Sequence, residues 1–514
     1  MTTSKQTTVS APFSGSEYIE SLNDGREVYL DGERVVDLAS HPGFQNSIRS
    51  IARLYDALQD PAQRDILTCP TDTGSGGCTH RYFRVSRSRE DLKGAQLAIA
   101  AWSRLSYGWM GRSPDYKAAF TNTLGANPEF YGPYAQNARR WYRFAQERVP
   151  FFSHAIVNPP IDRHKPAHEV KDVFIRAERE TDQGVIVSGA KVVATSAATT
   201  QYMFIGQTPI ASIEDLDMAL AFIVPMSARG VKLICRTSYE SNAYRNGTPF
   251  DFPLSSRFDE NDAILILDKV LIPWEDILIY RDPKRIRSFY SDSGFLNGFL
   301  FQGCTRFAVK LDFMAGLLAR ALRCMGAEQA RSNQVLLGEV IAWSHLFWSL
   351  SNEMAANPDS WIGDAVLPER RAAMAYNVFA PEAAARVREI VLRTVSSGLI
   401  YLPSSAQDFK NPAIEPYLRQ YVRGSNGIDH VERVKVMKLL WDAVGTEFAG
   451  RHDLYERNYA GSWENTRVQV QVDADRSGKA REMDNLVSQC LADYDLNGWT
   501  TSTWSSADLH CPAP

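Results

Sequence analysis

The spacing of apolar residues changes twice along this 514-residue chain, and these changes constrain its fold more than any other feature. Residues 1–150 show mainly helical spacing, whereas β-branched residues and turn signals fill residues 169–279. Helical spacing returns after residue 281. We therefore predict an α+β protein, mostly α, with an N-terminal helical domain over residues 1–150, a central β-domain over 151–280 and a C-terminal helical bundle with a tail over 281–514.

Local signals predict individual elements within this scheme. Helices are expected over residues 47–59, from Ser88 onward, and over 134–148, 307–329, 333–354, 370–395 and 431–440. Strands are expected over residues 173–178, 184–194, 218–224, 231–236 and 263–272. Tight turns are expected at residues 181–184 and 246–247.

Composition narrows the range of partners. The 56 Lys and Arg residues against 60 Asp and Glu give a net charge of −4, so the chain lacks the basic field of a nucleic-acid or acidic-membrane binder. Its opening residues are polar, and no apolar run approaches the roughly 20 residues that span a bilayer. We expect a cytoplasmic protein with no nucleic-acid or membrane partner.

Cysteine and histidine spacing argues against a metal site. The 7 cysteines are scattered without a C-x-x-C pair, and the 9 histidines include no H-E-x-x-H. The glycine-rich run at residues 74–77 lacks the strand-to-helix context of a phosphate loop, so we expect a turn there. Any cofactor is therefore expected to be bound without a dinucleotide fingerprint.

The run Gly-Trp-Met-Gly-Arg-Ser-Pro-Asp-Tyr places a cation and a phenol at a predicted helix start. Ser113 suits the N-cap, Pro114 the first helical position and Asp115 the positive end of the helix dipole. Arg112 and Tyr116 can then point into one pocket, beside backbone N–H groups that favour an anion such as a phenolate. A capped helix with an exposed arginine is the alternative.

Three further positions have both a functional and a packing interpretation. His154 lies at the junction of the helical and β regions, and if it faces Arg112 and Tyr116 it can accept a phenolic proton; otherwise it is a packing residue. Thr195 ends a predicted strand, where it can hydrogen-bond a cofactor or simply be a strand residue. The segment at residues 445–448 follows a predicted helix and by itself indicates a turn.

Taken together, these segments resemble the oxygenase component of the two-component 4-hydroxyphenylacetate 3-monooxygenase family, in particular its actinobacterial 4-coumarate and tyrosine-type 3-hydroxylases. The matching segments run almost from end to end and lie at residues 21–29, 47–55, 108–116, 188–195, 254–262, 444–451 and 454–461. Each segment alone is weak, whereas the combination is specific.

The resemblance implies the acyl-CoA dehydrogenase-like fold, with a four-helix bundle at the C-terminal end, and a homotetramer. It implies FAD as cofactor, delivered as FADH2 by a separate NAD(P)H-dependent flavin reductase, and O2 as cosubstrate. The resemblance further implies that a C4a-hydroperoxyflavin would transfer oxygen to a para-substituted phenol, ortho to its OH, and so give a catechol.

The resemblance also implies a set of site residues. Arg112 would stabilise phenolate charge, Tyr116 would orient the ring and His154 would share the proton, so these three both bind and activate the substrate. The residues implied to bind the flavin, with Thr195 near its reactive edge, are His154, Ala155, Ile156, Pro160, Ile161, Asp162, Arg163, Thr195, Gly445, Thr446, Glu447 and Phe448.

Residues 206–217 correspond to a variable substrate-covering loop in the family, with Gln207 and Thr208 as expected contacts to the substrate tail. This segment contains no Arg or Lys to pair with a carboxylate, which weakens the match to 4-hydroxyphenylacetate itself. A 4-coumarate, a tyrosine-like phenol and a carrier-tethered aryl group remain open as substrates.

Two other functions fit the same fold. Dehydratases of the 4-hydroxybutyryl-CoA type resemble it but hold an iron–sulfur cluster on three Cys and one His, whereas here Cys69 and Cys78 are widely spaced and no C-x-x-x-C occurs. A non-catalytic flavin-binding protein is the second alternative. The joint presence of Arg112, Tyr116 and His154 argues against it.

Overall fold

The computed structural model describes residues 10–162, 164–207, 213–459 and 461–504. Its first region is mainly helical, as predicted, and Ser88 caps a helix by accepting a hydrogen bond from the Asp91 N–H at 3.1 Å. The elements of this region are α1 (Gly15–Ser21), β1 (Glu27–Leu30), β2 (Glu33–Val35), α2 (Gln45–Ala57), α3 (Arg64–Leu67), β3 (Thr68–Pro70), β4 (Cys78–His80), α4 (Arg89–Leu105), α5 (Pro114–Ala126) and α6 (Ala135–Arg148).

The β1–β2 hairpin was not predicted, and it belongs to the central sheet rather than to the helices around it. Asp31 and Gly32 form its two-residue turn with φ of 53° and 82°. Asp-Gly between short apolar runs is a strong hairpin signal, and it was available in the sequence. The predicted boundaries between domains stay predictions.

The strand-rich region follows the predicted pattern within a few residues. It contains β5 (Phe152–Ala155), β6 (Arg176–Thr181), β7 (Gly184–Thr195), β8 (Tyr202–Ile205), β9 (Leu220–Pro225), β10 (Val231–Cys235), α7 (Tyr239–Asn246), β11 (Asp262–Pro273) and β12 (Ile277–Tyr280). The turn at residues 181–184 joins β6 to β7, as predicted. The turn predicted at Asn246 is wrong, because Gly247 instead follows the last residue of α7 and ends that helix.

These strands form two sheets, with the orders β2-β1-β10-β11-β7-β6 and β12-β9-β8-β5. In the second sheet β5 runs parallel to β8, with His154 opposite Phe204. Both strands have only four residues. β8 is wholly hydrophobic, and in β5 the two polar residues, Ser153 and His154, are adjacent, so neither strand shows the alternation that identifies a half-buried strand from sequence. The candidate base His154 therefore lies on a strand that the sequence pattern did not indicate.

The last region returns to helices. Its elements are α8 (Pro283–Asp292), α9 (Phe295–Met325), α10 (Arg331–Ala356), β13 (Asp359–Ser360), β14 (Val366–Leu367), α11 (Arg370–Val395), α12 (Glu415–Tyr421), α13 (His430–Val444), α14 (Glu447–Asn458), α15 (Trp463–Arg476), α16 (Lys479–Ala492), β15 (Tyr494–Asp495) and β16 (Gly498–Trp499). Helix α9 packs against α10, α11 and α13, which forms the predicted bundle.

Helix α9 begins well before the predicted start at Phe307. The first residues of the helix, from Phe295 to Arg306, are all buried, so they show no polar face and no amphipathic stripe. This early start matters for function, because Phe295, Leu296 and Phe299 reach the cavity described below.

Within the residues that the structure describes, no helix is both long enough and apolar enough to cross a membrane. Within the same residues, no group of three or more His, Cys, Asp or Glu side chains is placed to hold a metal ion.

Candidate active site

A cavity of about 610 Å³ lies where the N-terminal helices, the strands and the C-terminal helices meet, and its size suits a drug-sized ligand. We call the wall formed by α5, α9 and α14 the helical side, and the wall formed by β5 and β7 the β-side. The lining residues are Arg112, Tyr116, His154, Ile156, Val157, Val193, Thr195, Asp262, Tyr290, Phe295, Leu296, Phe299, Arg451, Leu454, Tyr455, Asn458, Tyr459, Gly461, Asn465 and Gln469.

The predicted helix start at residue 114 is confirmed, with Pro114 as the first residue of α5. The expected capping by the Ser113 side chain is wrong, because its hydroxyl donates to Oδ1 of Asp115 at 2.5 Å. Asp115 is fully buried, and burial raises the pKa of its carboxyl to about 6. A buried carboxyl needs donors, so the serine hydroxyl serves Asp115 rather than the backbone.

Arg112 is buried, so the alternative of an exposed arginine beside a capped helix is wrong. Its guanidinium carbon lies 4.0 Å from the ring centroid of Tyr116, 5.0 Å from that of Tyr459 and 5.3 Å from that of Tyr455. Among the described residues, its Nη1 has no hydrogen-bond partner. A permanent cation held by ring faces, with a free N–H, is suited to bind an anionic oxygen.

His154 faces Tyr116 across the cavity, with their ring centroids 5.6 Å apart. Its buried Nδ1 has no partner within the described part of the chain. Burial, and then the charges of Lys117 and Arg112, lower the pKa of His154 well below its ordinary value. The imidazole is therefore neutral near pH 7 and has a ring nitrogen able to accept a proton.

Thr195 lines the β-side at the end of β7, but its hydroxyl is already engaged. It donates to Oδ1 of Asp262 at 2.6 Å. Asp262 in turn receives two hydrogen bonds from Arg451, at 2.9 and 2.8 Å. Although burial opposes ionisation, Arg451 and Arg236 hold the pKa of Asp262 well below its usual range. The charge of Arg451 is therefore paired with a carboxylate, whereas Nη1 of Arg112 has no hydrogen-bond partner among the described residues.

The structure brings five of the predicted site residues to this cavity, namely Arg112, Tyr116, His154, Ile156 and Thr195. Arg163 and Thr208 lie outside the described residues. Of the predicted site residues that the structure does describe, those outside the lining of this cavity are Ala155, Pro160, Ile161, Asp162, Gln207, Gly445, Thr446, Glu447 and Phe448.

Hydrogen bonds account for the positions of Gln207 and of the segment at residues 445–448, outside the lining of the cavity. The amide oxygen of Gln207 accepts from Nζ of Lys191 at 2.8 Å, and its Nε2 donates to the carbonyl of Met218 at 3.1 Å. In the segment at residues 445–448, Gly445 and Thr446 form a turn and Glu447 begins α14, which Thr446 caps by accepting from the Ala449 N–H at 3.3 Å. Their roles toward substrate and flavin stay predictions.

Several residues of the site were not singled out from the sequence. Tyr455 and Tyr459 are four residues apart and face Arg112, which is a spacing that helical periodicity could have indicated. Lys117 places its Nζ 4.6 Å from the ring centroid of Tyr116 and 4.2 Å from that of Phe295. Burial, and then the charge of Arg112, lower the pKa of Lys117 well below its ordinary value.

A buried ion network supports the helical side from behind. Glu456 accepts two hydrogen bonds from Arg306, at 2.5 and 2.9 Å, and one from Lys310 at 2.8 Å. All three side chains are at most 8% exposed. Since Glu456 lies beside Tyr455 on α14, this network fixes the tyrosine that faces Arg112.

The β-side fits a planar, largely apolar ligand. Ile156, Val157 and Val193 line it, and Val193 is 61% exposed in the chain alone. Val193 also has a φ of 56°, in the left-handed region that β-branched residues rarely adopt. Such strain often occurs where a ligand binds. The β-side therefore offers an apolar surface next to the imidazole of His154 and opposite a cation and a phenol, which fits an isoalloxazine ring beside a phenol.

Comparison with known proteins places this site in a family context. The sequence profile described as "4-hydroxyphenylacetate 3-hydroxylase N terminal" matches residues 14–279, and the one described as "4-hydroxyphenylacetate 3-hydroxylase C terminal" matches residues 286–488. The 4-hydroxyphenylacetate 3-monooxygenase oxygenase component of Klebsiella oxytoca is 56% identical, over 95% of this chain and 94% of that protein.

A second relative acts on a tethered substrate. A Streptomyces globisporus monooxygenase of a (3S)-3-amino-3-(3-chloro-4-hydroxyphenyl)propanoyl group on a peptidyl-carrier protein is 56% identical, over 95% of this chain and 92% of that protein. Among solved structures, the oxygenase component of 4-hydroxyphenylacetate 3-monooxygenase with FAD and 4-hydroxyphenylacetate has a TM-score of 0.87 at 28% identity, covering 93% of this chain and 99% of that chain. These matches confirm both the resemblance and the predicted fold.

Proposed function

The chain belongs to the 4-hydroxyphenylacetate 3-hydroxylase family, and we propose that it is the oxygenase component of a two-component, FAD-dependent phenol hydroxylase. It converts a para-substituted phenol to a catechol by adding oxygen ortho to the OH. One observation carries the proposal: Arg112, Tyr116 and His154 line one cavity. Among the described residues, Arg112 Nη1 and His154 Nδ1 have no protein hydrogen-bond partner, and we propose that they bind the phenolic oxygen.

Bound reduced FAD, together with O2, supplies an electrophilic oxygen atom. Ile156, Val157, Val193 and Thr195 are the residues that would hold its ring system on the β-side. The aliphatic side chains of Ile156, Val157 and Val193 would exclude water from the ring, which protects the oxidant from side reactions. A separate flavin reductase delivers the reduced cofactor, as the designation "oxygenase component" of the Klebsiella oxytoca relative implies for that protein.

The chain's own residues make the phenol ring electron-rich. His154 takes or shares the phenolic proton at its free ring nitrogen, and Arg112 stabilises the negative oxygen that results. Arg stays charged at any working pH, so this stabilisation is always present. Tyr116 lies between them and orients the ring so that the ortho carbon faces the β-side.

The substrate is a phenol with a para substituent, and 4-coumarate, tyrosine-like and 4-hydroxyphenylacetate-like phenols are the candidates, free or tethered to a carrier. The Streptomyces globisporus relative, which acts on a carrier-bound group, supports a tethered substrate. Arg451 lines the cavity but is paired with Asp262, so it is not free for a substrate carboxylate. Gln207 and Thr208 remain the proposed contacts to the substituent.

We also propose a homo-oligomer, most simply a tetramer. In the described part of the chain, α16 has no buried residue, although Leu486 and Val487 are apolar and are 69% and 55% exposed. Trp463 of α15 is likewise 61% exposed. Apolar surface of this extent on two adjacent helices is typical of an interface between subunits.

The placement of the cysteines does not favour the dehydratase alternative. Cys69 and Cys78 lie on the β3–β4 hairpin, where Cys69 pairs with Thr79 and Cys78 pairs with Pro70. The described lining of the cavity contains neither of them.

The test is product analysis with the purified protein, FAD, a generic flavin reductase, NADH and air. We expect a panel of para-substituted phenols to give the corresponding catechols, with one oxygen atom from labelled O2 in each product. Omission of the oxygenase should abolish the catechol while reduced flavin is still oxidised. Flavin oxidation with no labelled catechol from any phenol would contradict the proposal.

A further inference from the structure

Lys191 of β7 is a buried lysine that the proposed chemistry does not use. Its side chain has 0% exposure. Its Nζ donates to the carbonyl oxygen of Ile156 at 3.2 Å, to Oδ1 of Asn158 at 2.7 Å and to Oε1 of Gln207 at 2.8 Å. These three oxygens match the three N–H groups of an ammonium.

The three acceptors are all uncharged, so no negative charge offsets the free-energy cost of burying the ammonium. Burial lowers the pKa of Lys191 to about 7, and none of its three hydrogen-bond partners is a carboxylate that would offset this. An apolar side chain of similar length would avoid the desolvation of a cation. A methionine at position 191 could not donate hydrogen bonds, so it could not hold three oxygens from separate segments at one point.

Those segments build the β-side of the cavity. Ile156 lines the cavity two residues after His154, and the Val157 carbonyl accepts from the Val192 N–H at 2.9 Å. Lys191 itself precedes Val193 and Thr195 on β7, which belongs to the six-stranded sheet, whereas β5 and β8 belong to the four-stranded sheet. The ammonium therefore links the ends of strands from both sheets.

The hydrogen-bonded link from Lys191 extends through Gln207 to Met218. The Gln207 Nε2 donates to the carbonyl of Met218 at 3.1 Å, just before β9 begins. On the other side, the Gly206 N–H donates to the Ala155 carbonyl at 3.3 Å, next to His154. Hydrogen bonds thus connect a single ammonium to the strand of the candidate base and to Gln207 and Met218, which precede and follow positions 208–217.

We propose that Lys191 is a positioning residue that holds the His154 strand, the Thr195 strand and Gln207 at fixed separations, and so aligns the β-side for the reaction. The catalytic consequence rests on the proposed function, whereas the structural consequence rests on the hydrogen bonds alone. Without the link, the ring and the oxygen donor are held less closely. A larger share of reduced flavin is then oxidised to hydrogen peroxide instead of giving catechol.

The structural consequence is tested without flavin or substrate, by hydrogen–deuterium exchange of the parent and of K191M. We expect the amides of Gly206 and Val192 to exchange about tenfold faster in K191M, because loss of hydrogen bonds eases local opening. The matched control is K438M, since Lys438 is also largely buried and bonds to Ser404 and Asp251. Equal exchange of Gly206 and Val192 in parent and K191M would overturn the proposal.

The catalytic consequence is measured as catechol formed per reduced flavin consumed. We expect this ratio to fall about threefold or more in K191M, to recover in part in K191R and to stay at the parental value in K438M. An unchanged ratio in K191M would overturn the catalytic part. If the parent itself gives no catechol, the proposed function fails, while the exchange experiment still decides the structural part.

A second variant keeps the test valid if K191M does not fold. N158A removes one half-buried acceptor and leaves the lysine in place. We expect the amides of Gly206 and Val192 to exchange severalfold faster in N158A than in the parent, because one of the three acceptors of Lys191 is lost. Parental exchange of both amides in N158A would contradict the link.

Discussion

The two sides of the cavity both bury cations, but they balance them differently. On the helical side, Arg306 and Lys310 share the carboxylate of Glu456. On the β-side, Lys191 is held by three neutral oxygens. The helical side is therefore locked by charge, and Arg112 stands in front of that network with a free N–H. The β-side is aligned by hydrogen bonds behind an apolar surface. The difference supports our proposal that the phenolic oxygen binds beside Arg112 on the helical side and that the flavin ring lies on the β-side.

Breaking the charge network should have the largest effect. E456A leaves Arg306 and Lys310 buried without a carboxylate, and removing one partner of a buried ion pair costs about 3–5 kcal/mol. We expect that loss in the free energy of unfolding, measured by denaturant titration. E129A is the control, because the Glu129 side chain is 74% exposed and surface pairs contribute little. A loss below 1 kcal/mol in E456A would show that charge does not lock the helical side.

Removing the free cation should abolish most of the activity while the fold is kept. R112A is expected to lower kcat/KM for catechol formation by about 10²–10³-fold, since a preorganised donor to a developing oxyanion is lost. R104A is the matched control, because Arg104 is exposed and its guanidinium lies 5.7 Å from the Trp348 ring centroid. Equal effects of R112A and R104A on kcat/KM would show that Arg112 does not contribute to catechol formation.

Replacing the imidazole should affect both activity and pH dependence. H154N is expected to lower kcat by about 10²-fold, as for loss of a general base. In the folded protein the pKa of His154 lies below its ordinary value of about 6.5. As the pH falls through about 6.5, the histidine is therefore protonated in the unfolded chain but stays neutral in the folded protein, which favours unfolding. The parent should therefore lose more stability than H154N when the pH falls from 7.5 to 5.5. A stability difference independent of pH would contradict a neutral, buried imidazole.

The smallest effect is expected at the end of β7. T195V keeps the shape of the side chain but removes its hydrogen bond to Asp262, which Arg451 and Arg236 still hold. We expect a loss of about 1.5 kcal/mol in the free energy of unfolding. T73V is the comparison, because the Thr73 hydroxyl also donates to a carboxylate, that of Glu147, but does so far from this network. A much larger loss in T195V would mean that the β-side also depends on charge.

Local signals made the helical side the easier part to predict. Pro114 marks the helix start by its fixed backbone, so Arg112 and Tyr116 could be placed from sequence. The strand of His154 could not, because it has only four residues and its two polar side chains, Ser153 and His154, are adjacent, so it shows no alternation. Lys117 and Lys191 escaped notice for another reason. A lysine is normally exposed, and its burial arises from tertiary contacts that spacing does not encode. The resemblance to a family supplied the flavin, which residue patterns alone did not.

The most direct test of the central claim is the ionisation of a phenol bound beside Arg112. 4-Nitrophenol reports its own ionisation by absorbance, so it can be titrated with the flavin-free protein across pH. We expect the bound phenol to be largely phenolate at a pH where the free phenol is largely neutral, and R112A to abolish this shift. A bound phenol that ionises as it does in water, or an equal shift in R112A, would contradict a cavity built to hold the phenolic oxygen as an anion.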